Sequence, residues 1–253
     1  MLATASVELG LDPRMPDDSN PRDLKSRDRR ELLKLSPLLL LGAFAVPPIK
    51  NELLKSGIAF TDWASSKWFR RNHLAPTFSA REATPLEKFY VNTHGVADPE
   101  VDLDNWTLKV SGDVQRPGEY TLAQIQALPK LAHITRHVCV DGWDAIVPFG
   151  GTAISTFLNF VGANLNSKFL FVECADGYYE SISMASALHP QSLLCYEMYE
   201  QPLTREHGAP LRLRLPTKIG YKSAKYLTNF RVTDILSKVG YWEDKGYPAT
   251  YNL

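Results

Sequence analysis

Cysteine is scarce: Cys139, Cys174 and Cys195 are the only three in 253 residues. An odd number with no Cys-x-x-Cys spacing argues against a pure disulfide framework, a zinc ribbon or a thioredoxin-type redox motif. Cys-x-x-Cys-His is also missing, so no haem is expected on this chain. Net charge is missing too, with 28 basic and 28 acidic side chains. That removes any general attraction to nucleic acid or anionic lipid, and no nucleic-acid partner is expected. An anion site must therefore come from local placement of Arg and Lys. Long apolar runs are absent: the stretch Leu35–Val46 is interrupted by Pro37, and a spanning helix needs roughly 20 apolar residues. No internal repeat or low-complexity segment is visible. What remains is a chain that is 44% hydrophobic, enough for a sizeable core without a membrane bundle.

The N-terminus reads as an address. Residues 1–28 are polar, rich in Asp, Arg and Pro, and carry no apolar period. Arg29-Arg30-Glu31-Leu32-Leu33-Lys34 then precedes the short apolar run, and Ala43-Phe44-Ala45 has a small-x-small form. A twin arginine before a short apolar stretch resembles a twin-arginine export signal. The expectation is a periplasmic protein whose segment 1–48 is a tail and signal, followed by a helical linker over 49–85 and a domain over 86–253. A signal of this kind serves proteins that fold around a cofactor before export.

Within the domain, Trp106–Val110 alternates and meets Gly112, predicting a half-buried strand. Thr121-Leu122-Ala123-Gln124 is a capping box that opens a short helix before Pro129. Strands are predicted at Ile134–Val140, Phe169–Val172 and Tyr226–Val232, and a short amphipathic helix at Ile154–Val161. Phe169–Val172 is continuously apolar and should be internal. Leu211–Leu215 alternates strictly, which turns Arg212 and Arg214 away from the leucines. Strands outnumber helices without alternating with them, so the fold class is α+β, mixed sheets with short helices in a single domain.

Three stretches carry chemistry. In Arg136-His137-Val138-Cys139-Val140-Asp141-Gly142-Trp143, a cysteine leaves a strand into a glycine-containing loop. Arg136 and His137 offer charge that would favour its thiolate, a soft metal ligand. On spacing alone, a lone strand cysteine is more often a small buried hydrophobe. In 206–225, Gly208 and Pro210 mark a tight turn. Arg212 offers a planar fork, and the loop around Gly220 offers backbone donors beside Lys222 and Lys225, a group able to hold a phosphate. The bland alternative is a basic sheet face with a connecting loop. In Phe89-Tyr90-Val91-Asn92-Thr93-His94-Gly95, polar Asn92 and His94 sit beside an aromatic pair, where a strand end with a satisfied histidine is the plain reading.

In order, Phe89-Tyr90-Val91…His94, Arg136-His137-Val138-Cys139-Val140-Asp141-Gly142-Trp143, Tyr178-Tyr179-Glu180-Ser181, His189-Pro190, His207-Gly208-Ala209-Pro210-Leu211-Arg212, Gly220-Tyr221-Lys222-Ser223-Ala224-Lys225 and Gly240-Tyr241-Trp242-Glu243 resemble the sulfite-oxidase-like molybdopterin oxidoreductases. The likeness is strongest to the branch with the periplasmic protein-methionine-sulfoxide reductase catalytic subunit, and it covers roughly Phe89 to Tyr247. It implies a sulfite-oxidase-type molybdopterin-binding fold and a molybdopterin cofactor with one molybdenum, ligated by Cys139. Arg212 matches the arginine on the cofactor phosphate. Ser223, Ala224 and Lys225, with Lys222 beside them, match the segment around the same end. Tyr90, Asn92 and His94 match the pterin edge. His207 stands where relatives often have Asn, and Cys174 where the reductase has Thr. Relatives with Phe-Tyr-Val-Arg-Asn-His carry Arg at the position of Asn92 and Asn at that of Thr93, and losing that Arg weakens the case for sulfite, an anion. Asp141 and Tyr178 or Tyr179 are the candidate substrate-side groups. No cytochrome domain and no further dimerisation domain are expected, so electrons must come from a separate partner such as a membrane redox subunit.

The resulting expectation is oxygen-atom transfer on a small sulfoxide-type substrate. Sulfite-oxidase-like oxidation of a sulfur compound and a non-catalytic molybdopterin-binding protein stand as alternatives. A cysteine hydrolase using Cys139 with His137 or His94 lacks an orienting Asn/Asp motif.

Overall fold

The computed structural model describes residues 73–236 and 238–249. The signal segment 1–48 and linker residues 49–72 lie outside the described residues. Residues 73–85 run as irregular chain with one 3₁₀ turn, Ala80–Glu82, and an isolated bridge from Thr77 to Thr135. Ten strands follow: β1 Thr107–Gly112, β2 Gly118–Thr121, β3 Lys130–Val138, β4 Asp144–Ala153, β5 Phe169–Cys174, β6 Tyr179–Ser183, β7 Leu193–Met198, β8 Gln201–Pro202, β9 Arg212–Arg214 and β10 Leu227–Thr233. Three short helices join them: α1 Leu122–Gln126, α2 Ile154–Phe160 and α3 Met184–Ala187.

Two sheets result. The first has the order β2-β1-β10-β5-β6, with β1 and β10 parallel and the other pairs antiparallel. The second runs β3-β4-β7-β8 with β9 also on β7, all antiparallel. In the first sheet, alternation on β1 buries Leu108 and Val110, and Val110 pairs with Phe230 of β10. Helix α2 buries Ile154, Phe157 and Leu158, the i, i+3, i+4 stripe of a surface helix. Phe157 meets Phe230 edge-on at 5.3 Å between ring centroids, locking the helix to the sheet. The capping box at α1 forms as the residues dictate, with Gln124 N–H donating to Thr121 Oγ1 at 3.3 Å and Thr121 N–H to Gln124 Oε1 at 2.8 Å.

Apolar β5 is internal, flanked by β10 and β6, and its side chains bury on both faces. The alternation of 211–215 also holds, but its polar face is not a solvated one. Arg212 and Arg214 are 4% and 0% exposed, and their guanidinium groups lie 5.5 and 5.1 Å from the Phe149 ring centroid. The basic-surface reading of this strand is therefore corrected, because the arginines pack under the second sheet against an aromatic ring. β3 ends at Val138, one residue before the cysteine. Cys139 begins a tight turn, with its N–H donating to the Trp143 carbonyl at 2.9 Å and Gly142 N–H donating back to Cys139 O at 3.2 Å. Gly142 takes φ of 92°, the left-handed region a side chain would strain.

Candidate active site

The turn that carries Cys139 opens onto a cleft of about 1080 Å³, its mouth included. Six segments meet there: 89–98, the end of β3 with the turn after it, the 176–178 turn, the 206–212 turn, the 220–225 loop and the stretch with Trp242 and Tyr247. Gly208 lets two of them close. Its φ is 101°, and a Cβ there would come within 2.8 Å of Lys225 Cβ. Gly220 does the same against the end of β3, where a Cβ would fall 2.9 Å from both His137 Nε2 and the Val138 carbonyl. The sequence places glycine where two backbones must approach.

Cys139 is 7% exposed. Asn92 Nδ2 donates to its sulfur at 3.3 Å and to Asp141 Oδ2 at 3.2 Å, and the thiol itself donates to Asp141 Oδ2 at 3.4 Å. Burial raises its pKa above the usual 9.0, and the Asp141 side chain adds to that, while the Asn92 amide opposes it. Without a ligand this cysteine is a thiol. A bound metal cation reverses that balance and takes the thiolate.

The charge expected from Arg136 and His137 does not reach the sulfur. Arg136 pairs at 2.6 Å with Asp144 on the exposed side of the hairpin. His137 is neutral, its pKa held well below 6.5 by burial first and by Arg214 and Arg212 next. Arg214 Nη1 lies 3.1 Å from His137 Nδ1. An arginine can only donate, so Nδ1 accepts and Nε2 carries the hydrogen. With no imidazole hydrogen-bonded to the sulfur among the described residues and with a raised pKa, Cys139 lacks the base a hydrolytic nucleophile needs.

Of the predicted residues, Tyr90, Asn92, His94, His207, Arg212, Ser223, Ala224 and Lys225 line the cleft. Asp141 and Tyr178 also face it. Tyr90 is 63% exposed at the mouth, leaning on Trp143 at 5.6 Å. His207 stacks on Phe89, 5.0 Å apart and 15° from parallel. Burial, then Arg212, pull its pKa down to about 4. Lys225 Nζ donates to the Glu206 carbonyl at 2.7 Å and pairs with Asp98 at 3.6 Å.

Two predicted residues are not brought to the cleft. Cys174, at the end of β5, packs into the apolar core, where burial raises its pKa well above 9.0. Lys222 points away, 2% exposed, with Nζ 2.7 Å from Glu180 Oε1 and in contact with Glu243. Its ammonium is spent on two buried carboxyl groups and does not face an anion in the cleft. Tyr179 also turns outward, donating to Asp244 at 2.7 Å. Conversely, Trp143, Asp98, Asp176 and Glu206 line the cleft without having been singled out as site residues. Arg214 was missed behind it, although its strict alternation with Arg212 was the available signal.

The residues fit a large anionic group that carries its own metal ligands. Arg212 donates to the carbonyls of His207 at 2.9 Å and Ser223 at 3.2 Å. Neither it nor Arg214 has a carboxylate partner among the described residues, so two buried cations stand uncompensated beside the cleft. Arg214 reflects this, its pKa pulled down to about 9 by burial and by Arg212. His94 lies 3.3 Å from Asp176 but out of line for a hydrogen bond, leaving both ring nitrogens buried and unpartnered, as is Trp143 Nε1. Buried polar atoms in this condition call for a partner. No group of three or more His, Cys, Asp or Glu able to hold a metal occurs among the described residues. A metal at Cys139 must therefore bring most of its ligands with it, as a dithiolene cofactor does.

Comparison with known proteins agrees with this chemistry. The family model described as "Oxidoreductase molybdopterin binding domain" matches residues 94–242. A protein of Azospira oryzae, provisionally named protein-methionine-sulfoxide reductase subunit YedZ1, is 43% identical over 181 residues, 71% of this chain and 68% of that protein. The protein-methionine-sulfoxide reductase catalytic subunit MsrP of Xanthomonas campestris is 27% identical over 254 residues, 90% of this chain and 76% of that protein. Among solved structures, the sulfane dehydrogenase SoxCD of Paracoccus pantotrophus shares the fold with a TM-score of 0.51 at 20% identity, covering 55% of this chain and 40% of that one.

Proposed function

This chain belongs to the molybdopterin-binding oxidoreductase family, and from that premise we propose that it removes the oxygen atom of a small sulfoxide-type substrate. When bound, the cofactor supplies two-electron oxygen-atom chemistry. The chain's own residues supply the rest. Cys139 holds one molybdenum, and Arg212 with the 223–225 loop holds the anionic end of the pterin. Asn92 orients the sulfur, and Asp141 and Tyr178 face the substrate.

The observation that carries this reading is the Asp141 carboxylate 3.4 Å from Cys139 Sγ, bridged by a neutral Asn92 amide. A carboxylate so close to the reacting position repels an anion such as sulfite and tolerates a neutral S=O group. The names of the two curated relatives support the same direction. Electrons come from a separate electron-transfer partner, which we place in the membrane. Export follows from Arg29-Arg30.

The test compares turnover of a methionyl sulfoxide, driven by a reduced viologen dye, with oxidation of sulfite. Sulfoxide reduction should dominate. Faster sulfite oxidation would overturn the reading. For export, changing Arg29 and Arg30 together to Lys should leave the protein in the cytoplasmic fraction, and unchanged periplasmic recovery would contradict the signal.

A further inference from the structure

Behind the cleft lies a buried ionic group that the proposed chemistry has not yet used. Glu180 of β6 is 0% exposed and Lys222 2%. Lys222 Nζ sits 2.7 Å from Glu180 Oε1 and touches Glu243, whose side chain is 2% exposed. Two carboxylates against one ammonium would leave a net negative charge in a dry site. Holding one proton on a carboxyl makes the group neutral. Glu180 is the carboxyl whose pKa is pushed up to about 8, by burial first and by Glu243, against the pull of Lys222.

This group has a door to the cleft. Tyr178 lines the cleft, and its hydroxyl lies 3.5 Å from Glu180 Oε2 while donating to the Tyr221 carbonyl at 2.9 Å. A hydroxyl that already donates is free to accept from a protonated carboxyl. Motion of a few tenths of an ångström brings the pair to bonding distance. The other polar and titratable groups facing Glu180 are the Ser181 N–H, which donates to Oε1 at 2.9 Å, and the Cys174 thiol from β5. Burial first, and then Glu180, keep the Tyr178 phenol well above its usual pKa, so it is not left ionised and gives up a proton only as it takes one.

We propose that Glu180 is the internal proton donor of the cleft, acting through Tyr178. The inference rests on the sulfoxide reading above, because removing an S=O oxygen as water consumes two protons and two electrons. In the balanced step the redox partner supplies the two electrons. The Tyr178 hydroxyl first turns from the Tyr221 carbonyl toward the cleft; the O–H bond of Glu180 then breaks as one forms at Tyr178 Oη, and the proton that Tyr178 held moves to the departing oxygen. The second proton comes from solvent through the open mouth. Glu180 is left as a carboxylate paired with Lys222 until solvent reprotonates it. Glu180 touches neither substrate nor cofactor and is a positioning residue for the proton. Lys222 and Glu243 set the charge that keeps it loaded.

The test uses Glu180→Gln and Tyr178→Phe in the full chain. Gln keeps the shape and leaves one ammonium against one carboxylate, so the fold and the molybdenum content should survive. In wild type, kcat for sulfoxide should fall as pH rises through about 8. In both variants that break should vanish and kcat at neutral pH should drop on the order of 10²-fold with KM little changed, the scale of a lost proton donor. A break retained in both variants overturns the proposal. Infrared spectroscopy on protein without cofactor gives a second readout, independent of turnover. A protonated-carboxyl band should be present at pH 7, absent in Glu180→Gln and shifted in Tyr178→Phe. If sulfoxide is not turned over, the functional reading fails and this band decides alone. A missing band, or one indifferent to Tyr178, sinks the donor assignment.

Discussion

The sulfur of Cys139 faces a carboxylate and an amide, with no cation beside it among the described residues, and burial pushes its pKa up. Cofactor-free protein should therefore react slowly with a thiol-alkylating reagent at pH 7, more slowly than an ordinary exposed cysteine. Rapid labelling would contradict the thiol state. The two buried arginines divide their work. Arg214 fixes the tautomer of His137 and also donates to Thr135 Oγ1 at 3.0 Å, whereas Arg212 borders the cleft. Arg212→Ala should fold but lose most of its pterin, measured by fluorescence after release, because it removes the buried cation bordering the cleft where the proposed function seats the cofactor phosphate. Retention of full pterin content would remove Arg212 from the binding set. Much of this was legible in the residues: the Cys139 loop, Arg212 and the 223–225 segment come together as their motifs imply. Lys222 was not legible, since a lysine in a loop reads the same whether it meets an anion or two acids. Those acids, Glu180 and Glu243, are 63 residues apart in sequence. Only β6 pairing with the turn at Gly240 joins them, through the isolated bridge from Glu180 to Gly240.

Elements position the site through glycines at close backbone approaches. Gly151 of β4 lies against β7, where a Cβ would come within 2.1 Å of the Leu194 carbonyl. Neither backbone can yield without breaking the β4–β7 ladder. Gly151→Ala should cost about 1–3 kcal/mol or more, read from the urea midpoint. Gly220→Ala is the sharper case, since the crowded atoms there are His137 Nε2 and the Val138 carbonyl. It should push the 220–225 loop off the end of β3 and lower cofactor retention more than it lowers stability. Equal stability and full occupancy would contradict this account of the loop. Period-2 and period-3.6 patterning located β1, α2 and β5 because each buries one stripe or two full faces. The strands Asp144–Ala153 and Leu193–Met198 escaped that reading. β4 carries Pro148, Gly150 and Gly151, which read as turn residues, and β7 is buried on nearly every side chain, leaving no alternation to read.

At the scale of the whole molecule, two opposing sets of buried groups shape stability against pH. His133 and His207 have pKa values near 4, and those of His137 and His189 are also lowered. The unfolded chain binds protons at these sites below about 6.5 that the native state refuses, so stability is lost as pH falls from 6.5. Glu180 works in the other sense. Its native pKa of about 8 lies above the usual 4.5, so the native state keeps a proton that the unfolded chain releases, and stability declines as pH climbs toward 8. Below 6.5 the four histidines outweigh the single carboxyl. The urea midpoint should therefore peak near pH 6.5, and Glu180→Gln should flatten the alkaline side and steepen the acid side between 4.5 and 6.5. An alkaline decline unchanged in Glu180→Gln would refute the buried proton. Whether this fold closes around a molybdenum cofactor held by one protein sulfur is decided by molybdenum and released pterin per chain in wild type and in Cys139→Ala, purified from a host that makes the cofactor. Wild type should carry one molybdenum with a sulfur-to-metal absorption band, and Cys139→Ala should lose the band and most of the metal. An unchanged band and unchanged metal content in Cys139→Ala, or no metal in wild type, would contradict that arrangement.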